Sequence, residues 1–218
     1  MTQRVWNDVD DYIAGLLVGD DEALDKALER SDKAGLPQIS VSPNHGKMLN
    51  LIARIHGART ILEIGTLAGY STIWLARALP EGGRLITLEA DPHHAQVATE
   101  NIAAAGLADR VEVRVGKALD TLPTLDGPFD LFFIDADKSN NPNYVRWAID
   151  HSRPGSVIIV DNVVRNGLVI DANSTDASVV GTRELGALLA AETRVSATMV
   201  QTVGSKGYDG FALVVVDG

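Results

Sequence analysis

The stretch DLFFIDADKSNNPNY, residues 130–144, runs four apolar residues, Leu131-Phe132-Phe133-Ile134, straight into Asp135, Asp137 and Lys138. An apolar run without alternation reads as a strand covered on both faces, the situation of a parallel sheet flanked by helices. Two carboxylates and an ammonium at the end of such a strand are more than helix capping requires. In open α/β sheets, ligands bind beyond the carboxyl ends of the strands, near the point where strand order reverses. The residues that end the strands are therefore the ones to inspect.

Outward from this stretch the chain alternates. Strands are expected at 60–64 (TILEI), 84–89 (RLITLE), 111–115 (VEVRV), 130–134 (DLFFI) and 156–160 (SVIIV), with helices at 69–79, 91–105, 117–122 and 140–151 between them. A helix near 177–191 and two closing strands, 195–203 and 209–216, follow; the short gap between those two predicts antiparallel pairing. Upstream, 4–17 and 21–30 have helical spacing, QISVS (38–42) is extended, and Ser42-Pro43 reads as N-cap and first residue of a helix carrying Met48, Leu51, Ile52 and Ile55. No repeat and no linker interrupts the pattern, so one domain over 1–218 is expected, with 1–40 as a helical annex and 60–218 as the α/β core.

The strand ends carry the chemistry. The first strand leads into Gly65-Thr66-Leu67-Ala68-Gly69-Tyr70-Ser71, whose glycines permit a tight turn and close approach to a ligand. The spacing is not the G-x-G-x-x-G of dinucleotide sites. The second strand ends in Glu89, placed to accept the hydroxyls of a ribose. Together these favour a nucleoside ligand without a pyrophosphate grip. The fourth and fifth strands end at Asp135 and at Asp161-Asn162. If the two strands are neighbours, their ends lie about 5 Å apart. Two carboxylates and an amide oxygen describe a hard-cation site for Mg²⁺, with Mn²⁺ or Ca²⁺ as alternatives. Lys138 is the candidate base, beside a cation that favours its neutral form. The bland alternative is a surface lysine paired with Asp137.

Composition narrows the class. The chain is 45% hydrophobic with a mean hydropathy of +0.05, and no apolar run reaches the ~20 residues of a membrane span. A net charge of −10 argues against nucleic acid, which needs clustered cations. Zero cysteines exclude disulfides and thiolate metal sites, and the N-terminal stretch has no secretory layout, so a cytoplasmic location is expected. His45, His93, His94 and His151 read as surface or cap residues.

These residues resemble a known family, the cation-dependent, S-adenosylmethionine-dependent O-methyltransferases of the catechol and caffeoyl-CoA type. LEIGTLAGYST, LEADP, GKALDTLP, FIDADKSNNPNY and VDNVVRNG occur in that family's order and spacing, from about residue 38 to the C-terminus. The resemblance implies a Rossmann-like class I methyltransferase fold, a seven-stranded, mostly parallel sheet with the last strand antiparallel and helices on both faces. It implies that Val41, Gly65, Thr66 and Ser71 hold the methionine end of the cofactor, with Glu63 beneath, Glu89 on the ribose and Ala118 by the adenine. Asp135, Asp161 and Asn162 would ligate the cation, Lys138 would be the base, and Asp137 would face substrate or cofactor, with Asp135 also near the cofactor. A homodimer and a small catechol-like or phenylpropanoid-like acceptor are implied as well.

The loop 163–178 is polar and offers no aromatic clamp, which leaves the acceptor open; Tyr144, Trp147, Tyr208 and Phe211 are the nearest aromatics. An NAD-linked oxidoreductase would share the fold but not the glycine spacing or the metal trio. A haloacid-dehalogenase-type phosphatase would carry its Asp-x-Asp after an early strand, with Thr or Val following instead of Lys. A methyltransferase-like binding module without turnover is the third alternative.

Overall fold

The computed structural model describes residues 2–217. The expected strands form one seven-stranded sheet of β1 (Thr60–Ile64), β2 (Arg84–Glu89), β3 (Val111–Val115), β4 (Leu131–Ile134) and β5 (Val157–Asp161), completed by β6 (Val195–Gly204) and β7 (Gly207–Val216). Their order is β3-β2-β1-β4-β5-β7-β6. β1 to β5 pair in parallel, and β7 runs antiparallel between β5 and β6. The order reverses between β1 and β4, so the crevice expected to bind ligand opens there.

Side chains alternate across the sheet with period two. Ile61, Leu131, Phe133, Val157 and Ile159 face one helical layer, whereas Leu62, Phe132, Ile134, Ile158 and Val160 face the other. The first layer comprises α2 (Glu22–Lys33), α3 (Pro43–His56), α4 (Tyr70–Ala76) and α5 (Pro92–Ala104). The second draws on α6 (Ala118–Thr121), α7 (Asn141–Asp150) and α8 (Ala177–Ala191). Burial on both faces explains why β4 carries no polar residue until it stops.

Helix starts follow their caps. Ser42 Oγ accepts the His45 amide at 3.3 Å with Pro43 in the first turn, and Asp91 accepts the His93 amide at 2.7 Å to start α5. The expected boundaries move by a few residues. The helix expected at 69–79 is Tyr70–Ala76, and β5 extends one residue to Asp161, because Asp161 pairs with Phe211 of β7. That pairing fixes the backbone of Asp161 in the sheet.

The N-terminal helix α1 (Gln3–Leu17) has no buried residue and lies against α3 and β6. Asp10 fastens it: its Oδ2 accepts the Ser205 amide at 2.7 Å, and its Oδ1 accepts Asn44 Nδ2 at 3.1 Å. Among the described residues no helix is long and apolar enough to cross a membrane.

Candidate functional site

A cavity of about 1480 Å³ opens over the carboxyl ends of the parallel strands. Its wall includes Val41, Gly65, Thr66, Ser71, Glu89, Ala118, Asp135, Asp137, Lys138, Asp161 and Asn162, which are all but one of the residues singled out from sequence. The exception is Glu63, fully buried beneath the floor.

Gly65 brings β1 and β4 together at the switch point. It has φ +101°, and a Cβ there would stand 2.2 Å from the Asp135 carbonyl oxygen, so only glycine lets the two chains pass. Beneath the turn, Glu63 accepts Ser71 Oγ at 2.6 Å, Thr87 Oγ1 at 2.7 Å and the Thr72 hydroxyl. Burial pushes its carboxyl up to about 7, against these three donors. Glu63 reaches the cavity only through Ser71. Glu89 Oε2 accepts the Thr66 and Leu67 amides at 3.3 and 2.8 Å, and Oε1 accepts the Asp91 amide at 3.0 Å. Three backbone donors hold this carboxylate at the strand end and leave it capacity for a ligand hydroxyl.

The opposite half of the floor is charged. Ile134 pairs with Val160, so Asp135 and Asp161 leave neighbouring strands side by side. Burial and the Asp135 charge push the Asp161 carboxyl well above the usual carboxylate range, against the pull of Lys138. Lys138 is buried in a 3₁₀ turn, Lys138–Asn140, and its Nζ donates to Asp135 Oδ1 at 2.6 Å. The surface pairing with Asp137 considered from sequence is therefore corrected. Asp135 ends the strand three residues before the lysine, and the chain between them folds back so that the two side chains meet. Asp137 instead accepts Tyr144 Oη at 2.6 Å and Asn140 Nδ2.

Asp161, buried, and Asp135, partly buried, converge with one ammonium, and a cation bound between the two carboxyls would favour the charged form of both. The donors available are oxygens, the set hard cations take. Among the described residues no three His, Cys, Asp or Glu side chains converge as a metal set. A cation here would rest on Asp135, Asp161 and the Asn162 amide, and these residues fit one.

Sequence reasoning missed His45. It was read as a surface or cap residue, but it lines the cavity with Nδ1 3.9 Å from Asp161 Oδ2, and its buried Nε2 has no hydrogen-bond partner. Burial holds its imidazole below the usual value, opposed by the Asp135 charge. The first turn of α3 carries it between Phe133 and Phe211, with ring centroids at 6.4 and 5.9 Å. No spacing in the sequence signals that approach. His94 likewise lines the cavity, 3.7 Å from Glu89 Oε1. His151 instead stacks on Trp147 at 3.8 Å.

Comparison with known proteins gives concordant results. A family model described as O-methyltransferase matches residues 17–215. A catechol O-methyltransferase of Niastella koreensis is 54% identical over 99% of this chain and 100% of its own length. A catechol O-methyltransferase of Mycobacterium tuberculosis is 56% identical over 96% of this chain and 95% of its own. The crystal structure of the Bacillus cereus O-methyltransferase in complex with SAH superposes with a TM-score of 0.98 at 55% identity, covering 99% of this chain and 100% of that one.

Proposed function

As a member of the O-methyltransferase family, this chain is an enzyme, and we propose that it moves the methyl group of S-adenosylmethionine to one hydroxyl of a small catechol-like acceptor held on a divalent cation, with Lys138 as general base. The observation that carries this reading is the meeting of Asp135, Lys138 and Asp161 on one cavity floor, beside the Gly65 turn. The relatives named for catechol, and the SAH held by the Bacillus cereus enzyme, support the acceptor and the donor.

In this reading the turn at Gly65–Ser71, with Val41, seats the methionine end of the donor, Glu89 takes the ribose hydroxyls, and Ala118 flanks the adenine. Asp135, Asp161 and Asn162 would hold the cation, which when bound acidifies a chelated hydroxyl and fixes the diol in one orientation. Lys138 would act as the neutral amine: its Nζ lone pair accepts the hydroxyl proton, and the ammonium so formed is the species that pairs with Asp135 Oδ1. The acceptor oxygen then bonds to the methyl carbon as the carbon–sulfur bond breaks, and both electrons of that bond stay on sulfur. The products are a methyl ether and a neutral thioether, with the proton left on Lys138. The protein's contribution is chiefly to align two groups that are already reactive.

The phosphatase and oxidoreductase alternatives are not favoured. Asp137, which a phosphatase would aim at the same centre as Asp135, is occupied by Tyr144 and Asn140. We further read the chain as a single-domain, cytoplasmic enzyme that works as a homodimer. The exposed Val5, Val9, Tyr12, Leu16 and Leu17 of α1 and the open edge of β6 support the last point. The function is tested by assaying a catechol against the matching monophenol. Methylation of the catechol alone agrees with chelation, and comparable rates on both refute a catalytic cation.

A further inference from the structure

Resting on the reading that the Gly65–Ser71 turn seats the donor, we infer that Asn101 is a positioning residue for S-adenosylmethionine, and that through Asn101 and Leu36 the N-terminal annex sets donor affinity.

The turn needs restraint from outside. Three of its residues hold left-handed backbone, Gly65 at φ +101°, Leu67 at +50° and Gly69 at +81°. Leu67 carries a Cβ, so this conformation persists only where the surroundings over-determine it. Glu89 fixes one side by accepting the Thr66 and Leu67 amides, and the Gly69 amide donates to the Thr66 carbonyl at 2.8 Å across the turn. The Ala68 carbonyl lies between the two left-handed residues Leu67 and Gly69, and its partner comes from another element.

That partner is Asn101 of α5, which is 1% exposed. Its Nδ2 donates to the Ala68 carbonyl at 2.8 Å and to the Ala27 carbonyl of α2 at 3.3 Å. Its Oδ1 accepts from the guanidinium of Arg30, also on α2. Two carbonyls on one side and a cation on the other suit a single orientation of the amide, so the side chain is fixed. Removing the amide donor leaves a buried carbonyl without its partner, the costly way to lose a hydrogen bond.

Packing joins the same elements independently. Leu36, on the segment after α2, is buried with Ala68 of the turn and Val97 of α5, and Ala34 and Leu67 pack against them. This cluster stands apart from the two cores that cover the sheet. His93 Nε2, at the start of α5, lies 3.0 Å from the Ala34 carbonyl and ties the end of α2 to α5. Asn101, Arg30 and Leu36 are not on the cavity wall, whereas Gly65, Thr66, Leu67 and Ser71 are. The annex therefore acts on the donor through the backbone of the turn and not by touching it.

The test is calorimetric titration of the full chain with S-adenosylhomocysteine, and separately with Mg²⁺, at a temperature where each variant is folded. Under that condition a loss of global stability alone leaves the Kd unchanged, because the folded fraction stays near one. Asn101→Asp keeps the shape and the Arg30 pairing but turns an oxygen toward the Ala68 carbonyl. It should raise the Kd for S-adenosylhomocysteine about tenfold, the effect of one buried hydrogen bond lost, and leave Mg²⁺ affinity unchanged. Leu36→Ala should weaken the same ligand with the hydrogen bond intact. Arg30→Met, at a side chain 35% exposed, should raise the Kd about threefold and carries the test if Asn101→Asp does not fold. Arg30→Lys, which keeps a cationic donor, should recover part of that loss. Ser71→Ala, on the cavity wall, reports on the turn itself. Weakened binding in Ser71→Ala with wild-type affinity in Asn101→Asp overturns the inference alone, as does an equal loss of S-adenosylhomocysteine and Mg²⁺ affinity in Asn101→Asp. Wild-type affinity in Ser71→Ala as well would refute the donor turn, and the inference with it.

Discussion

Lys138 Nζ stands 2.6 Å from Asp135 Oδ1, the ammonium at the start of a 3₁₀ turn and the carboxylate at the end of β4, with the lysine side chain only 9% exposed. The ammonium is held where β4 leaves the sheet, next to the buried carboxyl of Asp161. In the proposed reaction an amine so placed would face the acceptor and have a carboxylate at hand once protonated.

Lys138→Met should therefore lower kcat by about 10²–10⁴-fold, the range for a lost general base. Cation affinity should hold or increase, since the ammonium no longer competes for Asp135. Activity of the variant should climb with pH as the acceptor ionises unaided. Steady-state rates across pH, paired with calorimetric Mg²⁺ titration, check this; a kcat near wild type at neutral pH removes Lys138 from the mechanism.

Glu63 predicts a pH dependence of stability. Its folded-state value near 7 lies above the ordinary 4.5, so between those values the folded chain keeps a proton that the unfolded chain has lost. Stability from this group is present in full below about 4.5 and is lost as pH rises through 7, by roughly 3 kcal/mol in total. Urea unfolding of wild type and Glu63→Gln should show the variant gaining on the wild type between pH 4.5 and 8. A stability difference that stays constant over that window would contradict the buried-carboxyl account.

Gly181 gives a remote prediction. A Cβ at this position in α8 would lie 2.4 Å from the Lys138 carbonyl oxygen and 2.7 Å from Ser139 Cα. Gly181→Ala must push the Lys138 turn away from α8, so kcat should fall at least about tenfold, with a stability loss of about 1–3 kcal/mol. S-adenosylhomocysteine affinity should change less than kcat, because Gly181 meets the Lys138–Ser139 backbone and not the Gly65 turn. Measuring kcat beside that affinity separates a displaced base from general unfolding, which would reduce both.

The main elements of the site were legible because each rests on a local signal. Apolar runs ending in Asp135 and Asp161 identify strands and their rim, and adjacency of β4 and β5 brings the two acids together. The Gly65 turn and Glu89 are read the same way. His45 was not legible, since it arrives on α3. Periodicity reports which face of an element is buried, but not which distant element supplies a cavity wall. The bland alternative of a surface lysine paired with Asp137 fails because Lys138 is buried and meets Asp135, a fold-back of the chain after β4 that residue spacing does not report.

The central claim is methyl transfer that depends on a cation held by Asp135, Asp161 and Asn162. The most direct measurement is the initial rate of methylation of a catechol by the full chain, first in excess EDTA, then with Mg²⁺ restored, with S-adenosylmethionine binding followed in parallel. Turnover should disappear with EDTA and return with Mg²⁺ while donor binding largely persists, and Asp161→Ala should need a much higher Mg²⁺ concentration for the same rate. An undiminished rate in EDTA would contradict it.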